Sequence, residues 1–122
     1  MSKHLTITAL SGLLLLAGCG RAELGVKGGE PVIYSCGAQK IEARYYSLTD
    51  DSLSFVKLRL PDGHSYTLPQ TVSASGVRYT DEFELIWWTK GDEAFAEMRD
   101  ANGEWQLKYA DCRIVKGRAT PR

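Results

Sequence analysis

The chain has 122 residues, with 15 basic and 15 acidic side chains, 43% hydrophobic residues and three cysteines. That length holds one domain and leaves no room for a second substantial core. The composition excludes long disorder, collagen-like repeats and a polytopic membrane protein. Zero formal net charge argues against nucleic-acid binding held by bulk electrostatics.

Lys3 precedes an apolar stretch from Leu5 to Leu16. As a helix it would rise only about 18 Å against a hydrocarbon core of about 30 Å, too short to span. A positive start, a short apolar core and small residues after it make a secretory signal over residues 1–18. Leu16-Ala17-Gly18-Cys19 resembles the lipobox of bacterial lipoproteins. The resemblance implies diacylglycerol on the Cys19 thiol, cleavage before Cys19 and acylation of the new N-terminus. One acyl chain holds a membrane marginally, and two or more anchor it stably. Gly20 follows the cysteine in place of an aspartate, so the inner-membrane retention pattern is absent. The expectation is an outer-membrane, lipid-anchored protein with its domain facing the periplasm.

Without residues 1–18 the chain keeps 104 residues, 14 basic and 15 acidic. Arg113, Lys116, Arg118 and Arg122 put four of those positives into the last ten residues. Residues 19–112 then carry 10 basic and 15 acidic side chains, a net of −5. The expected organisation is a lipidated N-terminus and tether over 19–30, a domain over 31–112 and a basic tail over 113–122. Cys36 and Cys112 remain after Cys19 is assigned to lipid. In an oxidising compartment they are expected to form a disulfide, at most about 4–5 kcal/mol in the chain-entropy model. Two distant thiols and one mature histidine, His64, make a poor metal set. No metal or cofactor is expected.

Arg21 to Glu30, with Gly25, Gly28 and Gly29, reads as the tether. From Pro31 the pattern has period two, which indicates antiparallel strands. Val32-Ile33-Tyr34 leads into Cys36, and Ile41, Ala43 and Tyr45 alternate with Lys40, Glu42 and Arg44. Val56, Leu58 and Leu60 alternate with Phe55, Lys57 and Arg59 before the Pro61-Asp62-Gly63 turn. Tyr66 and Leu68 return, and a loop is expected around Pro69 to Ser75. Val77 and Tyr79 follow, then Phe83 to Thr89, where Leu85 and Trp87 share one face and Ile86 and Trp88 the other. Lys90-Gly91-Asp92 turns into Ala94, Ala96 and Met98. Asp100-Ala101-Asn102-Gly103 is a hairpin signal ahead of Trp105, Leu107 and Tyr109, read as one alternating face. About eight short strands and no convincing helix make the fold class all-β. A small antiparallel β-barrel closed by one disulfide is the economical form, because closure removes exposed edges. A β-sandwich is the alternative.

Catalytic chemistry is thin. His64 sits in a turn, no free thiol remains, and the carboxylates lie on turns and alternating strand positions as on a solvated face. There is no phosphate-cradling glycine loop and no metal-spaced histidine cluster. The chain reads as a non-enzyme. The most informative stretch is Ser73-Ala74-Ser75-Gly76-Val77-Arg78-Tyr79, followed by Trp87-Trp88-Thr89-Lys90-Gly91-Asp92-Glu93-Ala94. It offers two hydroxyls and a glycine on a loop, a lysine at a turn, and Arg78 and Tyr79 as braces. An ordinary polar loop and a solvated lysine are the plain alternative.

These two stretches, with Tyr34-Ser35-Cys36 and the late Cys112, resemble the bacterial inhibitors of c-type lysozyme in their membrane-bound lipoprotein branch. The resemblance spans Val32 to Cys112. It implies an eight-stranded antiparallel barrel whose loop serine and lysine enter the lysozyme cleft and engage the catalytic carboxylates. Carried onto this sequence, those residues are Ser75 and Lys90, with Ser73 as a second candidate hydroxyl and Arg78 and Tyr79 alongside. Lysozyme works with a glutamic acid and an aspartate flanking the scissile bond, and an ammonium and a hydroxyl suit both. The implied partner is c-type lysozyme. A structural or assembly lipoprotein binding another cell-envelope partner is the runner-up, and a ligand-carrying barrel the third reading.

Overall fold

The computed structural model describes Gly12 and residues 23–118. Residues 1–11, 13–22 and 119–122 lie outside the described residues, and with them the expected signal segment and Cys19. Eight strands run in chain order: β1 (Val26–Cys36), β2 (Gln39–Leu48), β3 (Ser54–Arg59), β4 (Ser65–Thr71), β5 (Val77–Thr80), β6 (Leu85–Lys90), β7 (Glu93–Arg99) and β8 (Trp105–Lys116). Each pairs antiparallel with the next, and β8 pairs with β1, so the sheet closes into a barrel. Cys36 and Cys112 are joined by a disulfide.

Period-two alternation decides which side chains fill the interior. Val32, Tyr34, Ile41, Ala43, Tyr45, Val56, Leu58, Leu68, Tyr79, Leu85, Trp87, Ala94 and Ala96 are all buried. Large meets small across the sheet: Ala96 lies opposite Trp87. At the centre, Trp87 and Tyr34 meet edge to face with ring centroids 5.0 Å apart. The Trp87 indole N–H donates to the Tyr45 hydroxyl at 3.0 Å, and the Tyr45 and Tyr34 hydroxyls bond at 2.6 Å. The buried polar tips therefore satisfy one another, as a dry interior requires.

Burial pushes the Tyr34 hydroxyl from 10.0 up to about 12 and raises Tyr45 further in the same direction. The folded state keeps protons that the unfolded chain releases, so the tyrosine contribution is complete below pH 10 and is lost as pH climbs through about 12. Thermal unfolding across that window is expected to show a falling Tm, and Tyr34→Phe should flatten the fall. An equally steep fall in that variant would count against the buried pair as its source.

Three boundaries and the facing of one residue differ from the sequence expectation. β1 begins at Val26 and not at Pro31, with Val26 opposite Leu48 and Gly28 opposite Tyr46. The glycines read as a flexible tether serve a bulge between Gly28 and Pro31, and a Cβ on Gly28 would meet the Tyr45 carbonyl oxygen at 2.3 Å. β4 continues past Pro69 to Thr71, because Pro69 ends the ladder with β3 and Gln70 starts the one with β5. β8 runs to Lys116, so Arg113 and Lys116 are barrel residues facing Ser35 and Ile33, and not tail. Leu107 points out and is 60% exposed, whereas Tyr109 is buried. From Ala94 to Glu97, three steps along β7 face five along β8 (Cys112 to Leu107), so bulges reset the alternation. Asp111 lies in that stretch at φ 52°.

Candidate functional site

β5 and β6 pair without a register break through both tryptophans: Val77 opposite Thr89, Arg78 opposite Trp88 and Tyr79 opposite Trp87. This regular ladder sets the β4–β5 loop (residues 72–76) beside the β6–β7 turn at Gly91-Asp92. Gly76 makes the closest approach. Its φ is 71°, and a Cβ there would lie 2.3 Å from the Thr89 carbonyl oxygen, so a side chain is excluded on both counts. Trp88, facing outward, donates its indole N–H to the Ser75 carbonyl at 2.7 Å.

Trp88 is itself held from both neighbouring strands. The Arg78 guanidinium lies 5.9 Å from its ring centroid and donates at 3.0 Å to Thr71 Oγ1 and to Glu82 Oε1. Phe95, opposite on β7, stacks at 5.8 Å. The turn is fixed as well, since Asp92 accepts a hydrogen bond from the Ile114 N–H at 3.0 Å. Sequence reasoning missed Trp88, Phe95 and Gly76 as loop supports. The outward phase of Trp88 next to inward Trp87 was the available signal for the first.

The two serines differ. Ser73 donates its hydroxyl to the Gly76 carbonyl at 2.7 Å and so belongs to the internal bonding of the loop. Ser75 is exposed, and its hydroxyl has no hydrogen-bond partner among the described residues. Lys90, the last residue of β6, is exposed and makes no ion pair among the described residues. Its cross-strand neighbour Glu93 is taken by Arg113 at 2.6 Å. Arg78 is mostly covered, and Tyr79 is 5% exposed inside the barrel, 5.6 Å from the Tyr45 ring. Arg78 thus reaches the loop through Trp88, whereas Tyr79 packs in the core. Ser75 and Lys90 open into one groove of about 570 Å³, which Trp88, Phe95, Glu97 and Leu107 also line. An ammonium and a hydroxyl there are free to donate to an anionic oxygen. No cluster of three His, Cys, Asp or Glu side chains among the described residues is placed to hold a metal.

A family profile described as membrane-bound lysozyme-inhibitor of c-type lysozyme matches residues 34–105. A protein of Yersinia enterocolitica (serotype O:8 / biotype 1B), named membrane-bound lysozyme inhibitor of C-type lysozyme, is 32% identical over 117 residues, 93% of this chain and 88% of its own. The chain belongs to this family. A protein of Pseudomonas aeruginosa with the same name is 36% identical over 64 residues, 52% of this chain and 48% of its own. The profile match takes in the Ser73–Gly76 loop, both tryptophans and Lys90.

Membership makes the loop support testable apart from barrel stability. Gly76→Ala is expected to shift the loop away from Thr89 and weaken inhibition at least tenfold, with loss of about 1–3 kcal/mol of stability. Lysozyme titration and thermal unfolding measure the two effects. Unchanged potency would show that loop position is unimportant.

Proposed function

We propose that the chain inhibits c-type lysozyme by placing Ser75 and Lys90 in the active-site cleft. The carrying observation is the pairing of an unengaged hydroxyl with an unengaged ammonium in one groove, in a chain of this family. Lys90 makes a charge-assisted hydrogen bond to the catalytic aspartate, and Ser75 bonds the glutamic acid. The loop body excludes the sugar chain. The protein acts as a binding partner and not as an enzyme.

Residues 1–18 are removed as a signal, Cys19 carries lipid, and the domain sits on the outer membrane facing the periplasm, guarding peptidoglycan from host lysozyme. The short linker before Val26 and the residues after Lys116 flank the barrel. Because β8 extends to Lys116, residues 23–118 carry 12 basic and 15 acidic side chains, a net of −3. C-type lysozymes are generally basic, so this charge steers association.

The test adds residues 20–122 to a c-type lysozyme digesting cell walls. Inhibition at micromolar concentration is expected, and its absence would sink the proposal. The association rate should fall between low and physiological ionic strength, where the screening length shortens to about 8 Å. A salt-independent rate removes the steering argument alone.

A further inference from the structure

The outer face of β2 and β3 concentrates cations. β2 turns Lys40, Glu42 and Arg44 outward and β3 turns Lys57 and Arg59 outward, alternating with buried Ile41, Ala43, Val56 and Leu58. The register sets Arg44 directly opposite Lys57 and Glu42 opposite Arg59. Like charges so placed destabilise a sheet unless something else compensates them. Glu42 accepts from Arg44 at 3.0 Å, and Arg44 also donates to the Gly29 carbonyl at 2.8 Å. That leaves Lys40, Lys57 and Arg59 without an ion pair among the described residues. β4 adds neutral Ser65 and Thr67 beside Arg59 and Lys57.

We propose that this face docks on the phosphate headgroups of an anionic phospholipid membrane. The inference rests on the lipid anchor proposed at Cys19. Only six residues separate Cys19 from Val26, where β1 begins; fully extended, the span from Cys19 to Val26 reaches about 25 Å. A linker that short keeps the barrel against the surface, and Arg44 grips Gly29 on the strand that the linker enters. Each cation near an anionic surface is favoured by about fivefold. Three together favour this orientation by about a hundredfold over one in which none approaches. In the closed ring, β2 and β3 lie four strands from β6 and β7. Docking by the basic face therefore turns Ser75 and Lys90 away from the membrane, toward arriving lysozyme.

The test couples a chain beginning at Cys19 to maleimide-bearing vesicles through that thiol, Cys36 and Cys112 being paired. Lysine labelling is then read residue by residue by mass spectrometry. On vesicles with roughly 30 mol % phosphatidylglycerol, Lys40 and Lys57 should label about tenfold more slowly than on phosphatidylcholine, with Lys90 unchanged. Raising the salt to roughly 1 M should abolish the difference. Equal labelling of Lys57 on the two vesicles, or equal protection of Lys90, overturns the proposal. Combining Lys57→Glu with Arg59→Glu should restore Lys40 labelling and leave lysozyme inhibition intact; persistent protection of Lys40 also overturns it. Chemical coupling makes this result independent of acylation in cells. The anchor itself is tested by whether radiolabelled palmitate enters the wild-type chain and not Cys19→Ser.

Discussion

Lys90→Ala is expected to weaken inhibition of a c-type lysozyme by about 30- to 1000-fold, the range for truncating a central charged anchor at an interface. The size follows from what remains: in the proposed complex a desolvated carboxylate is left without its partner. Ser75→Ala removes one hydrogen bond to a charged or polar group and should cost about 10- to 100-fold. Ser73→Ala should act differently, because its hydroxyl already serves the Gly76 carbonyl. Its effect should follow loop order and stay smaller than that of Ser75→Ala. Lys90 is exposed and free of ion pairs among the described residues, so Lys90→Ala should leave Tm unchanged. Inhibition titrations with matched unfolding curves separate the variants. Equal, undiminished potency in Lys90→Ala and Ser75→Ala would reject the site while leaving the family untouched.

The legible parts of the sequence were those in which one physical signal acted alone. Strict alternation at Ile41, Ala43 and Tyr45, or at Val56 and Leu58, leaves only one face for the core, and those side chains are buried. The hairpin at Asp100 to Gly103 was equally clear, since the Asp100 side chain accepts the Asn102 and Glu104 N–H groups. Reading failed where two signals overlapped. Gly28 and Gly29 satisfy a flexible tether and a bulge pressed on Tyr45 equally well, and only the facing strand distinguishes them. Leu107 keeps perfect sequence alternation with Tyr109, yet a bulge placed by pairing with β7 puts it on the opposite face. Charge misled in the same way at Arg113 and Lys116. Outward positions of a closing strand tolerate cations, so a basic run resembled a tail. At the candidate site, the two motif stretches offered Ser75 and Lys90, but the different bonding of the two serines depends on a loop hydrogen bond that no spacing encodes.

Trp87→Ala is expected to cost about 3–5 kcal/mol, the usual range for deleting a fully buried large aromatic. Three losses coincide there. The side chain is fully buried, so its removal leaves a cavity facing Ala96, which is too small to fill it. The Tyr34 ring loses its edge-to-face neighbour at 5.0 Å. The Tyr45 hydroxyl loses the indole donor at 3.0 Å while still bonded to Tyr34. For a domain of this size such a loss lowers Tm by about 15–30 °C. Trp87→Phe, which keeps a ring but not the donor, should recover more than half of the loss. Trp88→Ala supplies the internal control one residue away: it points outward, so about 1 kcal/mol is expected from lost packing on Phe95 and Arg78. Its functional effect should be the larger one, because the Ser75 carbonyl then loses the bond that fixes the loop. Adjacent identical side chains thus separate stability from inhibition: position 87 moves Tm, and position 88 moves lysozyme affinity. Similar Tm losses at both would mean that the outward aromatic row carries barrel stability and not loop position.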